Sequence, residues 1–246
     1  MTDLLVVLPT YNEKQSLAGV VARIRASVPE AHVLIVDDNS PDGTGGLADS
    51  LADSHVAVLH RPAKEGLGRA YLAGFERAIA GGYSYVAEID ADGSHNPADL
   101  PAMLALAVDG ADLVIGSRWI PGGAVRNWPW HRQAISRAGN AYSRFMLRSE
   151  IRDITAGFRV FRISALQRMT LERVASQGYC IQVELAWRLE RSGARMVEYP
   201  ITFVERAEGR SKMHVGIVTE ALLRVTGWGL TAGLPALRRS AQTRLK

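Results

Sequence analysis

A regular alternation constrains this chain more than any other feature. Short apolar runs occur at LLVVL (4–8), HVLIV (32–36), VAVLH (56–60), YVAEI (85–89) and DLVIG (112–116). Between them lie EKQSLAGVVARIRAS, GTGGLADSLADS, GLGRAYLAGFERAIAGG and NPADLPAMLALAVDG, all with helical spacing. Strand, helix and strand at this interval predict a mostly parallel sheet with helices on both faces, since each crossover helix must pack back onto the sheet. Ligands of such sheets sit beyond the carboxyl ends of the strands. The loops at those ends are PTYNE, DDNSPDGT, RPAKEGLG, DADGSHNP and GSRWIPGG, and they are expected to converge on one crevice.

The alternation stops after residue 120. Residues 131–149 read as an arginine-bearing amphipathic helix and GFRVFR (157–162) as a strand. SALQRMTLERV and IQVELAWRLERSG read as helices, and ARMVEYPITFVER as one further strand. The 246 residues suit one large domain, here 1–213, followed by an amphipathic, basic tail, 214–246. The uncharged run Val225–Leu237 holds 13 residues, short of the roughly 20 that span a bilayer, so it reads as a packing or interfacial helix. Cys180 is the only cysteine, which excludes an intrachain disulfide and a multi-cysteine zinc site. MTD leads directly into LLVVLPT with no basic leader, so no signal peptide is read and a cytosolic location is the default.

The loops carry the chemistry. Neither G-x-G-x-x-G nor the G-x-x-x-x-G-K-[ST] phosphate loop follows the first strand; PTYNE stands there, an aromatic face and a carboxylate suited to a base or ribose, or a plain turn. In DDNSPDGT, Asp37 and Asp38 end a strand and can accept hydrogen bonds from a ribose or base edge, whereas Asp42 and Thr44 read as the start of a helix. Asp90 and Asp92 in DADGSHNP can present carboxylates to a common point, the oxygen-rich donor set of Mg²⁺ or Mn²⁺ on a diphosphate. The same D-x-D-G-S also fits a phosphatase nucleophile, but such motifs lie on a first strand with an acidic pair downstream, and neither holds here. His95 reads as a capping or bracing group. Arg206, Arg210 and Lys212 flank Gly209 and Ser211, a loop able to close over phosphates or a plain basic loop. Net charge is only +4, yet six arginines lie between Arg126 and Asp153 beside Trp119, Trp128 and Trp130. That mixture fits phosphates, an anionic membrane surface, or a solvated helix face.

PTYNE, VDDNSPDGT, GLGRAY, DADGSHNP, GSR and FxxRxxGxSK occur in one order over about residues 4–213. In this the chain resembles the family-2 glycosyltransferases of GT-A fold, and among them the polyprenol-phosphate (dolichol-phosphate) mannose synthases. The resemblance implies that Pro9, Tyr11, Glu13, Val36 and Asp38 line the pocket for the guanosine of GDP-mannose. It makes Asp90, Ala91 and Asp92 the D-x-D segment whose acids bind Mg²⁺ or Mn²⁺. Ser94 stands at a third metal position where many relatives have Gln. Arg118, Arg132 and Ser136 match positions that hold the acceptor phosphate, and Arg206 and Lys212 match a pair that closes over the phosphates. Asp153, in the recurrent DITAGFRVF segment, receives no role.

The implied reaction is an inverting transfer of mannose to polyprenyl phosphate, giving GDP and a β-linked mannolipid, with Asp92, Arg118 and Arg132 as the residues that carry it. A phosphomonoester with a second pKa of about 6 is already a nucleophile at neutral pH, so no indispensable base is expected. UDP-glucose as donor is the nearest alternative; an aspartyl phosphatase and a nucleotide-sensing module are more distant ones. Some relatives carry transmembrane helices and others borrow a membrane partner; this chain reads as the second kind. The three tryptophans, the arginine helix and residues 215–237 are expected to face a membrane surface or a membrane-protein partner. No nucleic-acid partner is expected.

Overall fold

The computed structural model describes residues 3–171, 174, 176, 178, 180–205 and 219–231. The five strands expected from the alternation all form: β1 (Leu4–Thr10), β2 (His32–Asp37), β3 (Val56–His60), β4 (Tyr85–Glu88) and β5 (Leu113–Ser117). The helices between them are α1 (Leu17–Ser27), α2 (Thr44–Leu51), α3 (Leu67–Ala80) and α4 (Leu100–Val108). Beyond residue 120 come β6 (Ala124–Arg126), α5 (Trp130–Leu147), β7 (Arg159–Arg162), α6 (Ile163–Arg168), α7 (Cys180–Arg191), β8 (Met196–Pro200) and β9 (Thr202–Val204). A last helix, α8, covers 219–231.

Seven strands form one sheet in the order β3-β2-β1-β4-β7-β5-β8. Every pairing is parallel except those of β7, which runs antiparallel to both β4 and β5. The carboxyl ends of the parallel strands therefore share one edge. Inserting β7 between β4 and β5 brings residues 113–117 of one half into line with 85–88 of the other. Both faces are covered. Val7, Leu34, Phe75, Leu113 and Phe161 lie in one apolar core, and Val6, Leu8, Val33, Ile24 and Val114 in the other, as alternation along each strand requires. Gly74 of α3 permits the closest helix-to-sheet approach, since a Cβ there would lie 2.4 Å from Val7 Cγ1.

Residues 194–205 differ from the single strand expected. They break at Ile201 into β8, which joins the main sheet, and β9, which pairs with β6 in a separate two-stranded parallel sheet. Pro200 ends β8, which tolerates its missing N–H as the edge strand of the sheet, and Ile201 still donates to Ser117 O at 3.0 Å. Helix α8 packs against α5 and α7. Trp228 stacks on Trp187 at 5.4 Å, the Tyr142 and Thr226 hydroxyls meet at 2.5 Å, and Val225 is buried. No helix among the described residues is long and apolar enough to cross a membrane.

Candidate active site

The crevice lies where β1, β2, β4 and β5 end together. On its β1–β2 side, Thr10 donates to Asp37 Oδ1 at 3.0 Å, and the Ser40 hydroxyl donates to the same oxygen at 2.6 Å. Asp37 thus holds the turn. Asp38 is buried and paired with Arg61, which also bonds Glu65. Burial raises the Asp38 pKa, and the Arg61 charge opposes that rise. Tyr11 is half-buried, with Lys64 Nζ 4.0 Å above its ring centroid. The Glu13 N–H donates to Thr44 Oγ1 at 3.0 Å, while Asp42 Oδ1 accepts from Thr44 N at 2.9 Å and holds the turn that leads into α2, the structural role expected of that pair. Pro9 and Val36 sit side by side in the β1–β2 register.

At the end of β4 the chain turns through DADGS. Gly93 has φ +77°, a left-handed conformation that a side chain strains. Asp90 and Asp92 are half-buried and Ala91 is buried between them. Three groups brace this loop. The Tyr71 hydroxyl donates to Asp90 Oδ1 at 3.2 Å, the Asp90 N–H donates to His95 Nδ1 at 3.4 Å, and Asp92 Oδ1 accepts from Ser94 N at 3.0 Å. His95 lies against Phe158 and Phe203, with ring centroids 5.2 and 5.3 Å away, and burial lowers its pKa to about 4, so its ring is neutral. It is a brace, as its position in the turn suggested. The Ser94 hydroxyl is buried and has no hydrogen-bond partner among the described residues. Beneath the loop, Glu88 is fully buried opposite Arg159 in the β4–β7 register, and burial pushes its pKa to about 8.

The other wall is built by β5, α5 and the β6–β9 sheet. The Val204 N–H of β9 donates to Ser94 O at 3.0 Å, so this small sheet is tied directly to the D-x-D loop. Arg118 is held by Asp153, with Nε and Nη2 each donating to a carboxylate oxygen at 2.7 Å and Nη2 also reaching Thr155 Oγ1 at 3.1 Å. Asp153, unassigned in the sequence, is therefore the anchor of Arg118. The Asn140 amide bridges Ser136 O and Thr155 Oγ1, both at 3.0 Å, which links Ser136 to the same cluster. Arg132 is paired with Glu205, and its guanidinium lies 5.0 Å from the Trp128 ring centroid.

One expectation changes here. Trp119 and Trp128 do not face outward: their indole nitrogens are buried, and Arg118 packs 5.6 and 5.5 Å from their rings. The arginines draw these rings inward as cation–π partners. Only Trp130 of the three is exposed. Arg206, Arg210 and Lys212 lie outside the described residues. Sequence reasoning missed Tyr71, although GLGRAY was singled out, and it missed Glu205 because the cations beside it drew attention instead.

Residues 5–170 match the family described as glycosyl transferase family 2. The chain is 50% identical over 237 residues to the polyprenol monophosphomannose synthase of Mycolicibacterium smegmatis, covering 95% of this chain and 89% of that one. It is 52% identical over 236 residues to the undecaprenyl-phosphate mannosyltransferase of Micrococcus luteus, covering 95% and 97%. Among solved structures, glucosyl-3-phosphoglycerate synthase from Mycobacterium tuberculosis with Mn²⁺, UDP and glucosyl-3-phosphoglycerate superimposes with a TM-score of 0.67 at 20% identity, over 91% of this chain and 78% of that one. The same enzyme with UDP alone gives a TM-score of 0.67 at 18% identity, over 94% and 79%. At these identities the likeness concerns the fold.

Proposed function

The chain belongs to glycosyltransferase family 2, with a GT-A fold, and on that premise we propose that it transfers mannose from GDP-mannose to polyprenyl phosphate. The names of the relatives that are half identical across nearly the whole chain support mannosyl transfer to a polyprenyl phosphate. The observation that carries the reading is the hydrogen bond from Val204 to Ser94, which joins the D-x-D loop to the arginine-bearing wall. It brings the acid pair and the arginines to one crevice, as transfer between a metal-held diphosphate and an acceptor phosphate would require.

In this proposal Pro9, Tyr11, Glu13, Val36 and Asp38 form the nucleoside side. Asp90 and Asp92 would hold Mg²⁺ or Mn²⁺, and the residues present fit such an ion: two half-open carboxylates accept from a phenol and a backbone N–H, and the buried Ser94 hydroxyl beside them lacks a partner among the described residues. A divalent ion there supplies charge neutralisation for the departing diphosphate. The chain's own groups orient and desolvate. Arg132 binds the acceptor phosphate at its edge, Arg118 and Ser136 shape that pocket, and Arg206 and Lys212 close over the phosphates. The phosphate dianion attacks the anomeric carbon of mannose without a protein base, and catalysis is positioning plus electrostatics.

Trp130, Ile135 and Phe145 on α5 and Leu222, Leu223 and Leu230 on α8 are exposed, and we assign this face to the membrane that delivers the lipid. On α5 these side chains lie opposite the buried Asn140, Ser143 and Leu147, as the 3.6-residue period places them. Incubation with Mg²⁺, polyprenyl phosphate and a panel of nucleotide sugars tests the function. Mannolipid and GDP are expected. Glucolipid from UDP-glucose, or free phosphate without any donor, would replace this reading.

A further inference from the structure

Two arginine–carboxylate pairs stand on the acceptor wall, and they differ in kind. In the pair of Arg118 and Asp153 the side chains are 9% and 0% exposed, and the contact is bidentate. Opening such a buried pair leaves a charge uncompensated, so Arg118 is not available to exchange partners. In the pair of Arg132 and Glu205 the side chains are 30% and 28% exposed. A pair this open is weakly held, and a better anion can displace its acid.

The surroundings fix the arginine and leave the acid loose. The Arg132 guanidinium lies on Trp128, whose ring packs 5.2 Å from Phe203. Only the guanidinium edge is left for an anion, and the carboxylate of Glu205 takes it. Among the described residues that carboxylate has no other hydrogen-bond partner; the backbone of Glu205 is held separately, by a 3.1 Å bond from its N–H to Arg126 O.

We propose that Glu205 is a specificity-determining residue: it occupies the acceptor-phosphate place on Arg132 and yields it to a phosphomonoester dianion. A monoester is largely doubly charged at neutral pH, so it outcompetes a single carboxylate for the fork of Arg132. A phosphodiester, with one charge, has no such advantage and is turned away. The inference rests on the reading of Arg132 as the acceptor-phosphate ligand.

The experiment compares Glu205→Gln, Glu205→Asp and Arg132→Gln in the full chain. Steady-state kinetics against polyprenyl phosphate are read beside calorimetric binding of inorganic phosphate, which needs no turnover. Glu205→Gln removes the competing charge while keeping the side-chain shape, and Glu205→Asp keeps the charge but shortens its reach. Either variant is expected to lower the KM for lipid phosphate and tighten inorganic phosphate binding by roughly two- to fivefold, the worth of an exposed ion pair, with little change in kcat. Arg132→Gln should raise KM and weaken phosphate binding. If it moves neither, the acceptor reading itself fails. If Arg132→Gln weakens both but the Glu205 variants weaken them too, or leave them unchanged, Glu205 is a structural brace and the specificity role is overturned.

Discussion

The two walls of the crevice solve opposite electrostatic problems. On the donor wall, two acids are oriented by neutral donors: a tyrosine hydroxyl on Asp90 and a backbone N–H on Asp92. On the acceptor wall, the cations are matched by acids, Arg118 by Asp153 and Arg132 by Glu205. A neutral donor fixes a carboxylate's direction, which suits the cation-binding role proposed for these two acids. Matching a cation with an acid lowers the cost of holding it among tryptophans, and either locks it or leaves it exchangeable according to burial. On the proposed reading, the first wall aims its acids at a metal, and the second gives up the acid of Arg132 to the acceptor phosphate.

The comparison breaks most visibly at its acids. Asp92→Ala should lower mannosyl transfer by about 10³-fold or more, since no neighbouring side chain replaces charge-stabilising contacts of this kind. Transfer assays, with circular dichroism to confirm the fold, check it; residual activity within tenfold of the parent would remove Asp92 from the donor wall. Asp153→Ala tests the other wall through stability. Leaving the Arg118 guanidinium buried beside Trp119 and Trp128 without its acid should cost roughly 3–5 kcal/mol in denaturant unfolding. A loss below about 1 kcal/mol would mean that the pair is exchangeable after all, and the contrast with Arg132 and Glu205 would vanish.

The same division governs what the sequence reveals. The donor wall is local: each strand and the loop after it are contiguous, so apolar runs ending in PTYNE, DDNS and DADGS disclosed both the fold and the acids. The acceptor wall is assembled from residues far apart in the chain. Asp153 meets Arg118 across 35 positions and Glu205 meets Arg132 across 73, and no periodicity announces such a pairing. The inward turn of Trp119 and Trp128 was illegible for the same reason, because it depends on the arginines they meet in space. The antiparallel insertion of β7 also lies beyond local pattern, since GFRVFR reads only as a strand and not as the neighbour of β4 and β5.

Beneath the donor wall, pH can separate Glu88 from its surroundings. Its pKa rises from 4.5 to about 8 on burial, so between these values the folded chain keeps a proton that the unfolded chain has released. Stability from this group is complete below 4.5 and is lost as pH rises towards 8. His95 acts in the opposite sense and lower down, its pKa falling from 6.5 to about 4, so it costs stability as pH drops through that window. Above 6.5 the Glu88 slope stands clear of His95. Denaturant unfolding in chelator should show a loss of about 2 kcal/mol from pH 6.5 to 8, and Glu88→Gln should flatten it. An unchanged slope in the variant would show that the carboxyl does not hold its proton there.

The smallest and most discriminating change is Tyr71→Phe. The ring is fully buried, stacked 6.3 Å from Phe75, and phenylalanine fills the same space, so folding should be nearly untouched. Burial and the charge of Asp90 push the phenol pKa well above its ordinary value, so the hydroxyl keeps its proton and acts as a donor throughout the working range. Removing it takes away one of the groups that orient the Asp90 carboxylate. Groups that orient a metal-binding carboxylate are typically worth 10–100-fold in metal affinity, and the lower end, about tenfold, is expected for this single 3.2 Å bond. Mn²⁺ titration followed by electron paramagnetic resonance, with GDP present, reads the affinity directly. Unmoved Mn²⁺ affinity would mean that the acids orient themselves, and neutral bracing would cease to distinguish the donor wall. Weakened affinity at unchanged stability would separate orientation from folding, which no alanine at Asp90 or Asp92 can do.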